Sequence, residues 1–132
     1  MAYDFVLSTV LPASPQAVYD AWMSSEGHGE MTLTECTIDP RVGGEYEVGD
    51  GYITGRTTAL EPGRRIVQTW RTSEFADTDP DSEIEVLLEP VDGGTRLTLH
   101  HRHVPDGQTD YEHGGWQDNY FEPMRDYFTA DV

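Results

Sequence analysis

From Tyr3 to Val10 the chain is rich in β-forming residues, and Tyr3, Phe5 and Leu7 fall on one face at period two, which predicts a first strand over residues 3–10. Pro12-Ala13-Ser14-Pro15 ends it and supplies an N-cap serine followed by a proline at the first helical position. Val18, Ala21 and Trp22 then recur at helical spacing, so a helix is expected over residues 15–24. The stretch from Ser24 to Met31 carries Gly27 and Gly29 and is expected to be a loop with a short turn. Beyond it, breakers at Pro40 to Gly44, Gly49-Asp50-Gly51, Pro62-Gly63 and Asp92-Gly93-Gly94 separate runs rich in threonine, valine, isoleucine and aromatics. Such punctuation marks consecutive antiparallel hairpins, with strands expected near 32–39, 44–48, 52–60, 65–71, 83–89 and 95–103. Between Thr109 and Phe128, Trp116, Tyr120, Met124 and Tyr127 or Phe128 share a helical face, which predicts a long closing helix bent at Pro123. Strand, helix, six-strand meander and long helix, without repeat or linker, read as a single α+β domain over 1–132, an antiparallel sheet with one face against a helix.

Alternation also assigns the inner face of each strand wherever the outer one is charged. Glu83, Glu85 and Glu89, with Leu87, leave Ile84, Val86 and Leu88 inside; Arg65 and Arg71 leave Ile66, Gln68 and Trp70 inside. By the same parity Arg96, Thr98, His100 and Arg102 face out, which turns Leu97, Leu99, His101 and His103 inward. Glu45 and Glu47 leave Tyr46 and Val48 inside, and Cys36 with Ile38 lies opposite Glu35 and Asp39. With Trp22 on the first helix and Trp116, Tyr120 and Met124 on the last, the expected interior is rich in bulky aromatics and also holds Gln68, His101, His103 and Cys36. A concave apolar pocket with a few polar groups is the usual form of a small-molecule site. The other reading of the same residues is a filled core with the histidines at an open strand end.

Composition narrows the chemistry. The chain has 132 residues, enough to bury roughly two-thirds of its unfolded surface without disulfides or structural metal. Its one cysteine excludes an intrachain disulfide and any cysteine-rich zinc site. All 8 basic residues are arginine, which closes lysine Schiff-base chemistry and the phosphate-loop lysine. With 25 acidic side chains the formal charge is −17, so no basic face is available for nucleic acid. No apolar run approaches the roughly 18 residues of a membrane span, and Met1-Ala2-Tyr3-Asp4 lacks a signal peptide's basic flank, so a soluble cytoplasmic protein is expected.

The remaining motifs are weak. His101-x-His103 sets two imidazoles on one strand face, but no third ligand stands at a fixed spacing, so no metal is assigned. Asp77-x-Asp79-x-Asp81 imitates the start of a calcium loop and fails at its sixth and twelfth positions, Ser82 and Leu88. Cys36 has no basic neighbour to lower its pKa, and no Gly-x-Ser-x-Gly elbow occurs. Neither a catalytic residue nor a cofactor follows from the sequence.

Gly43-Gly44-Glu45-Tyr46, Gly55, Ile66-Val67-Gln68-Thr69-Trp70-Arg71, Gly94-Thr95-x-Leu97-Thr98-Leu99 and Gly115-Trp116 with Tyr120-Phe121 stand in an order and spacing that resemble the heat shock protein 90 ATPase activator homologue family. The resemblance runs from about Phe5 to Phe128. It implies the START-like, SRPBCC superfamily and its helix-grip, birch-pollen-allergen-like fold, a curved antiparallel sheet around a long C-terminal helix. The family takes its name from the C-terminal domain of a co-chaperone that stimulates the chaperone's ATPase, and the wider superfamily binds lipophilic ligands between sheet and helix.

Three functions are therefore weighed. The first is a non-enzymatic module binding a small lipophilic or aromatic ligand, with Trp22, Cys36, Tyr46, Gln68, Trp70, His101, His103, Trp116, Tyr120 and Met124 as cavity candidates. The second is a protein-interaction role, as a chaperone cofactor or adaptor. The third is a cyclase- or hydratase-type enzyme with His101 or His103 as general base. An outer face bearing Val67, Leu87 and Thr98 could also pair across a two-fold as a homodimer.

The acids are spread along the whole chain rather than massed in a tail, so self-repulsion should destabilise the fold at low ionic strength. A halophilic, salt-rich setting is the expected remedy, because screening shortens the reach of each charge. Thermal melts in low and in molar KCl test this: the melting temperature is expected to climb with salt, and a constant or falling value contradicts it.

Overall fold

The computed structural model describes residues 2–105, 107–108 and 111–130. Its strands are β1 (Ala2–Leu11), β2 (Cys36–Ile38), β3 (Glu45–Val48), β4 (Ile53–Glu61), β5 (Arg65–Thr72), β6 (Ser82–Val91) and β7 (Gly94–Pro105). They form one antiparallel sheet in the order β1-β7-β6-β5-β4-β3-β2. The first strand crosses to pair with the last, and the other six follow one another as hairpins. Helices α1 (Pro15–Trp22) and α2 (Ser25–Thr32) follow β1, and the chain closes with π-helical turns at Tyr111–Gly115 and Gln117–Phe121 that lead into α3 (Glu122–Ala130). The curved sheet with its closing helix is the helix-grip arrangement. Thr109, the expected start of that helix, lies outside the described residues.

The inner face follows the alternation. Ile84, Val86, Leu97, Leu99 and Ile66 are almost wholly buried, and they pack with Val18, Trp22, Phe121 and Met124 from the helices. On the outer face Glu85 of β6 receives Arg65 of β5 and Arg102 of β7, each at 2.5 Å, and Arg102 also reaches Glu83 at 3.1 Å. Arg102 first, then Arg65, hold the Glu85 carboxyl below its ordinary range. This ladder crosses the face on which an apolar two-fold contact was expected. Val67, expected there as an exposed residue, is 6% exposed between its register partners Ala59 and Glu85.

Three expectations need correction. Residues 25–32 are a helix, not a loop. Ser24 caps it by accepting from the Gly27 N–H at 3.1 Å, and Glu26 lies in its first turn. The two glycines serve close approach rather than breakage: a Cβ at Gly27 would stand 2.9 Å from Ala21 Cα of α1, and one at Gly29 2.8 Å from the Thr34 carbonyl. Because the helix uses this segment, β2 shrinks from the expected 32–39 to three residues. The second correction is His103, which is exposed instead of inward. Tyr3 pairs Val104 while Phe5 pairs His101, so Arg102 and His103 together face Asp4. His103 takes φ +60, its N–H donates to Asp4 Oδ1 at 3.0 Å, and this bulge flips the parity so that Val104 goes inside. The third concerns the closing helix, which is wound as π turns before Pro123. A wide turn there eases the clash of the proline ring with the carbonyl four residues earlier.

Gly55 of β4 lies opposite Tyr46 of β3, and the Tyr46 ring crosses over it to donate its hydroxyl to the Thr69 carbonyl of β5 at 2.6 Å. A Cβ at Gly55 would fall 2.0 Å from that same carbonyl and 2.6 Å from the Tyr46 ring. Gly55→Ala is therefore expected to cost about 2 kcal/mol or more, read as a lower urea midpoint at unchanged slope, and an unchanged midpoint contradicts this packing.

Candidate functional site

A half-open cleft of about 510 Å³ lies at the rim of the sheet, beside the closing helix. The end of α2 forms one lip through Thr32, Leu33 and Thr34, and the β3–β4 hairpin forms another through Val48, Tyr52 and Ile53. Trp70 and Glu74 contribute the end of β5 and its following loop. Tyr111, Asn119 and Tyr120 come from the π turns and Trp116 from the residue that joins them, and this winding brings residues five apart, Tyr111 and Trp116, onto one face. Leu33 caps α2 in the left-handed region at φ 61 and leaves its side chain 84% exposed at the lip.

Behind this wall the polar groups of the interior are consumed by one another. Trp116 Nε1 donates to His101 Nδ1 at 3.2 Å, and an indole nitrogen can only donate, so His101 Nδ1 carries no proton. The proton sits on Nε2 and is donated to Ser82 Oγ at 2.9 Å, and Ser82 in turn donates to the Trp70 carbonyl at 2.5 Å. His28 takes the opposite tautomer: its Nδ1 donates to the Trp22 carbonyl at 2.9 Å, and its Nε2 accepts from the Tyr120 hydroxyl at 2.6 Å. Trp22 Nε1 donates to Gln68 Oε1 at 3.2 Å, and Gln68 Nε2 donates to Thr57 Oγ1 at 3.2 Å. Both imidazoles are neutral, since burial drives His28 down to about 4 and His101 down to about 3. Burial likewise raises the Tyr120 hydroxyl above its ordinary pKa.

Aromatic contacts run through the same layer. Trp70 meets His101 edge-on at 4.7 Å and Trp116 at 5.4 Å, Trp116 meets Tyr120 at 4.9 Å, and Tyr120 meets Trp22 at 5.2 Å. The rim is tied in too: Thr72 Oγ1 and the Tyr111 hydroxyl lie 3.0 Å apart, Tyr111 donates to Gln108 Oε1 at 2.9 Å, and Tyr52 donates to Glu74 Oε2.

Of the residues expected around a cavity, Trp70, Trp116 and Tyr120 line the cleft. Trp22, Gln68, His101 and Met124 sit behind it, at most 2% exposed. Tyr46 lies under its neighbours in the sheet. Cys36 is half-buried, its thiol pushed up by burial and donating to the Thr34 carbonyl at 3.8 Å. His103 faces outward, away from His101. Among the described residues no group of three metal-ligating side chains comes together. With both ring nitrogens engaged behind the wall, His101 is out of reach as a base for a molecule in the cleft.

The model of the family described as Activator of Hsp90 ATPase homolog 1-like protein matches residues 12–129. The chain belongs to this family. Among its relatives is the human Activator of 90 kDa heat shock protein ATPase homolog 1, 27% identical over 115 residues, which are 87% of this chain and 34% of that protein. The chain spans about a third of the length of the curated relatives it matches. Two solved structures share the fold: an HSP90 activator from Plasmodium falciparum (TM-score 0.85, 20% identity, 95% of each chain) and the Aha1 dimer from Colwellia psychrerythraea (TM-score 0.77, 17% identity, 95% of each chain). Within this activator-homologue fold the closing helix is the element that carries most of the cleft's aromatic wall.

Sequence reasoning missed Leu33, Tyr52, Glu74, Tyr111 and Asn119 at the cleft, and His28 behind it. Ser24 followed by the spaced pair His28 and Met31 was the available signal for α2, and so for His28 and the Leu33 lip. Tyr52 and Glu74 belong to turns, whose place in space depends on strand pairing.

The two buried histidines set an acid sensitivity. Their folded pKa values lie below the ordinary 6.5, so above pH 6.5 folded and unfolded chains are both neutral there and stability is at its full value. Below it the unfolded chain takes up protons that the fold refuses, down to about 4 at His28 and about 3 at His101. Each histidine is expected to remove about 1.4 kcal/mol per pH unit in that window. Urea midpoints in molar KCl should fall from pH 6.5 to 5.5, with a shallower fall in His101→Gln; a constant or rising midpoint contradicts the assignment.

Proposed function

We propose that this domain is a binding module for a small apolar or aromatic molecule held in the cleft between the sheet rim and the closing helix. The observation that carries the reading is the aromatic lining of the cleft, Tyr52, Trp70, Tyr111, Trp116 and Tyr120 around a space of about 510 Å³, which is enough for a small molecule. Trp22 and His101 serve it indirectly, by holding Tyr120, Trp70 and Trp116 in place from behind, and Gln68 holds Trp22 by accepting its indole N–H. In this role the domain carries out no chemistry on its ligand. Titration with a neutral naphthylamine probe is expected to give saturable one-site binding with quenching of tryptophan fluorescence, since Trp70 and Trp116 both face the cleft. Asn119→Trp, placed at an exposed position on the wall, should fill the space and abolish binding while leaving the far-ultraviolet circular dichroism unchanged. Failure of the unaltered protein to bind any of a panel of lipophilic probes contradicts the reading.

Family membership favours a second reading, a contact with a chaperone of the Hsp90 type, because the human and Plasmodium relatives are named as activators of that ATPase. Leu33, an exposed leucine at the cleft lip, is a suitable anchor. A cytoplasmic, salt-rich setting and a paired assembly, like the dimer solved for the Colwellia protein, belong to the same reading. Purified Hsp90 from the native host, assayed at molar salt, is expected to gain ATPase activity on addition of the domain and to lose that gain with Leu33→Asp. Neither binding nor a rate change removes this role.

A further inference from the structure

We propose that the cleft is selective for charge: its ligand joins an aromatic or apolar body to a cationic head, an ammonium or a guanidinium-like group, and carboxylate-bearing amphiphiles are rejected. The proposal rests on the reading of the cleft as a ligand site and adds to it the class of ligand. Three features of the rim point the same way. Glu74 is the one charged side chain among the described lining residues, with no arginine or histidine beside it. Tyr52 donates its hydroxyl to Glu74 Oε2, which fixes the carboxylate at the cleft, and Oε1, without a partner among the described residues, is placed to receive a donor from the ligand. The second feature is the lip formed by Thr32 and Leu33, the C-terminal end of α2, where the aligned peptide dipoles place partial negative charge. The third is Tyr52, a lining residue that is 40% exposed and offers an aromatic ring to a cationic head at the rim.

The placement of Arg71 agrees with the sign of the site. Arg71 follows Trp70 on β5 but faces the other way, and it is held by Asp81 at 3.1 Å and by the carbonyls of Ala76 and Asp79. A carboxylate entering the cleft would thus meet Glu74 with no cation to receive it among the described lining residues, and would shed its own hydration. A cation would exchange hydration for a carboxylate, a helix C-terminus and the exposed ring of Tyr52. The overall charge of −17 attracts any cation to the whole surface, so the local and the general effects must be separated in the test.

The experiment is displacement of the bound neutral naphthylamine probe by three molecules with the same body: naphthylmethylammonium, naphthylmethanol and naphthylacetate. It is run on the unaltered domain and on Glu74→Gln, at about 0.15 M and about 1 M KCl. The ammonium is expected to compete at roughly 10-fold lower concentration than the carboxylate at both salt levels, and Glu74→Gln should weaken the ammonium roughly 5-fold. The alcohol should be unchanged in Glu74→Gln, whose amide can still accept the Tyr52 hydroxyl. Equal competition by all three molecules, or preference for the carboxylate, overturns the charge selectivity while the cleft remains a ligand site. An ammonium preference that survives in Glu74→Gln but vanishes at high salt assigns the effect to the general field and also overturns the proposal. No binding of the probe or of any competitor overturns the cleft reading and this proposal with it.

Discussion

The hydrogen bond from Trp116 to His101 is the contact on which the arrangement of this domain turns. It joins the closing helix to the middle of β7, and it does so with a donor that cannot accept and an acceptor whose tautomer is thereby fixed. From that one assignment follow the proton on His101 Nε2, its donation to Ser82, and the donation of Ser82 to the Trp70 carbonyl, so that β5, β6 and β7 are keyed to the helix by one chain of donors. A second chain, from Tyr120 through His28 to the Trp22 carbonyl, does the same for α2 and the end of α1. Buried polar groups that are fully paired specify one geometry, whereas a partner lost from either chain would leave a buried donor or acceptor unpaired, at a cost of about 1–3 kcal/mol.

These chains separate two questions that the amino-acid sequence leaves joined. Polar side chains inside an aromatic interior read equally well as ligand contacts or as structural groups. Here Gln68, His28 and His101 are spent on the fold, and the space left for a ligand lies one layer out, at the rim, where Trp70, Trp116 and Tyr120 line the cleft. The rigid layer behind is what lets three large rings stand as a preformed wall, and preformed walls lower the ordering cost of binding. The same layering explains why the cleft has few charges: the arginines of the strands serve the outer face of the sheet, as in the ladder of Arg65, Glu85 and Arg102.

Much of the fold was legible because its signals are local. Alternation in β5, β6 and β7 identified Ile66, Trp70, Ile84, Val86, Leu97 and Leu99 as inward, and the breakers placed the hairpins. The misses are each non-local in origin. Gly27 and Gly29 look like breakers in sequence and act as contact points for α1 and for Thr34 in space. The inward assignment of His103 assumed unbroken alternation, and the bulge that reverses it depends on Asp4, ninety-nine positions away. Tyr52, Glu74 and Tyr111 come together only once β4, β5 and the closing helix are in register, so no periodicity within one segment marks them.

Two neutral buried histidines of opposite tautomer fasten the closing helix, His101 to the sheet and His28 to the α1–α2 pair. Long-range nitrogen-proton correlation spectra of the imidazole rings at neutral pH read this directly. The account requires His101 protonated on Nε2 alone and His28 protonated on Nδ1 alone, both without titration down to pH 5. A cationic ring at either position, or the same tautomer at both, would contradict it.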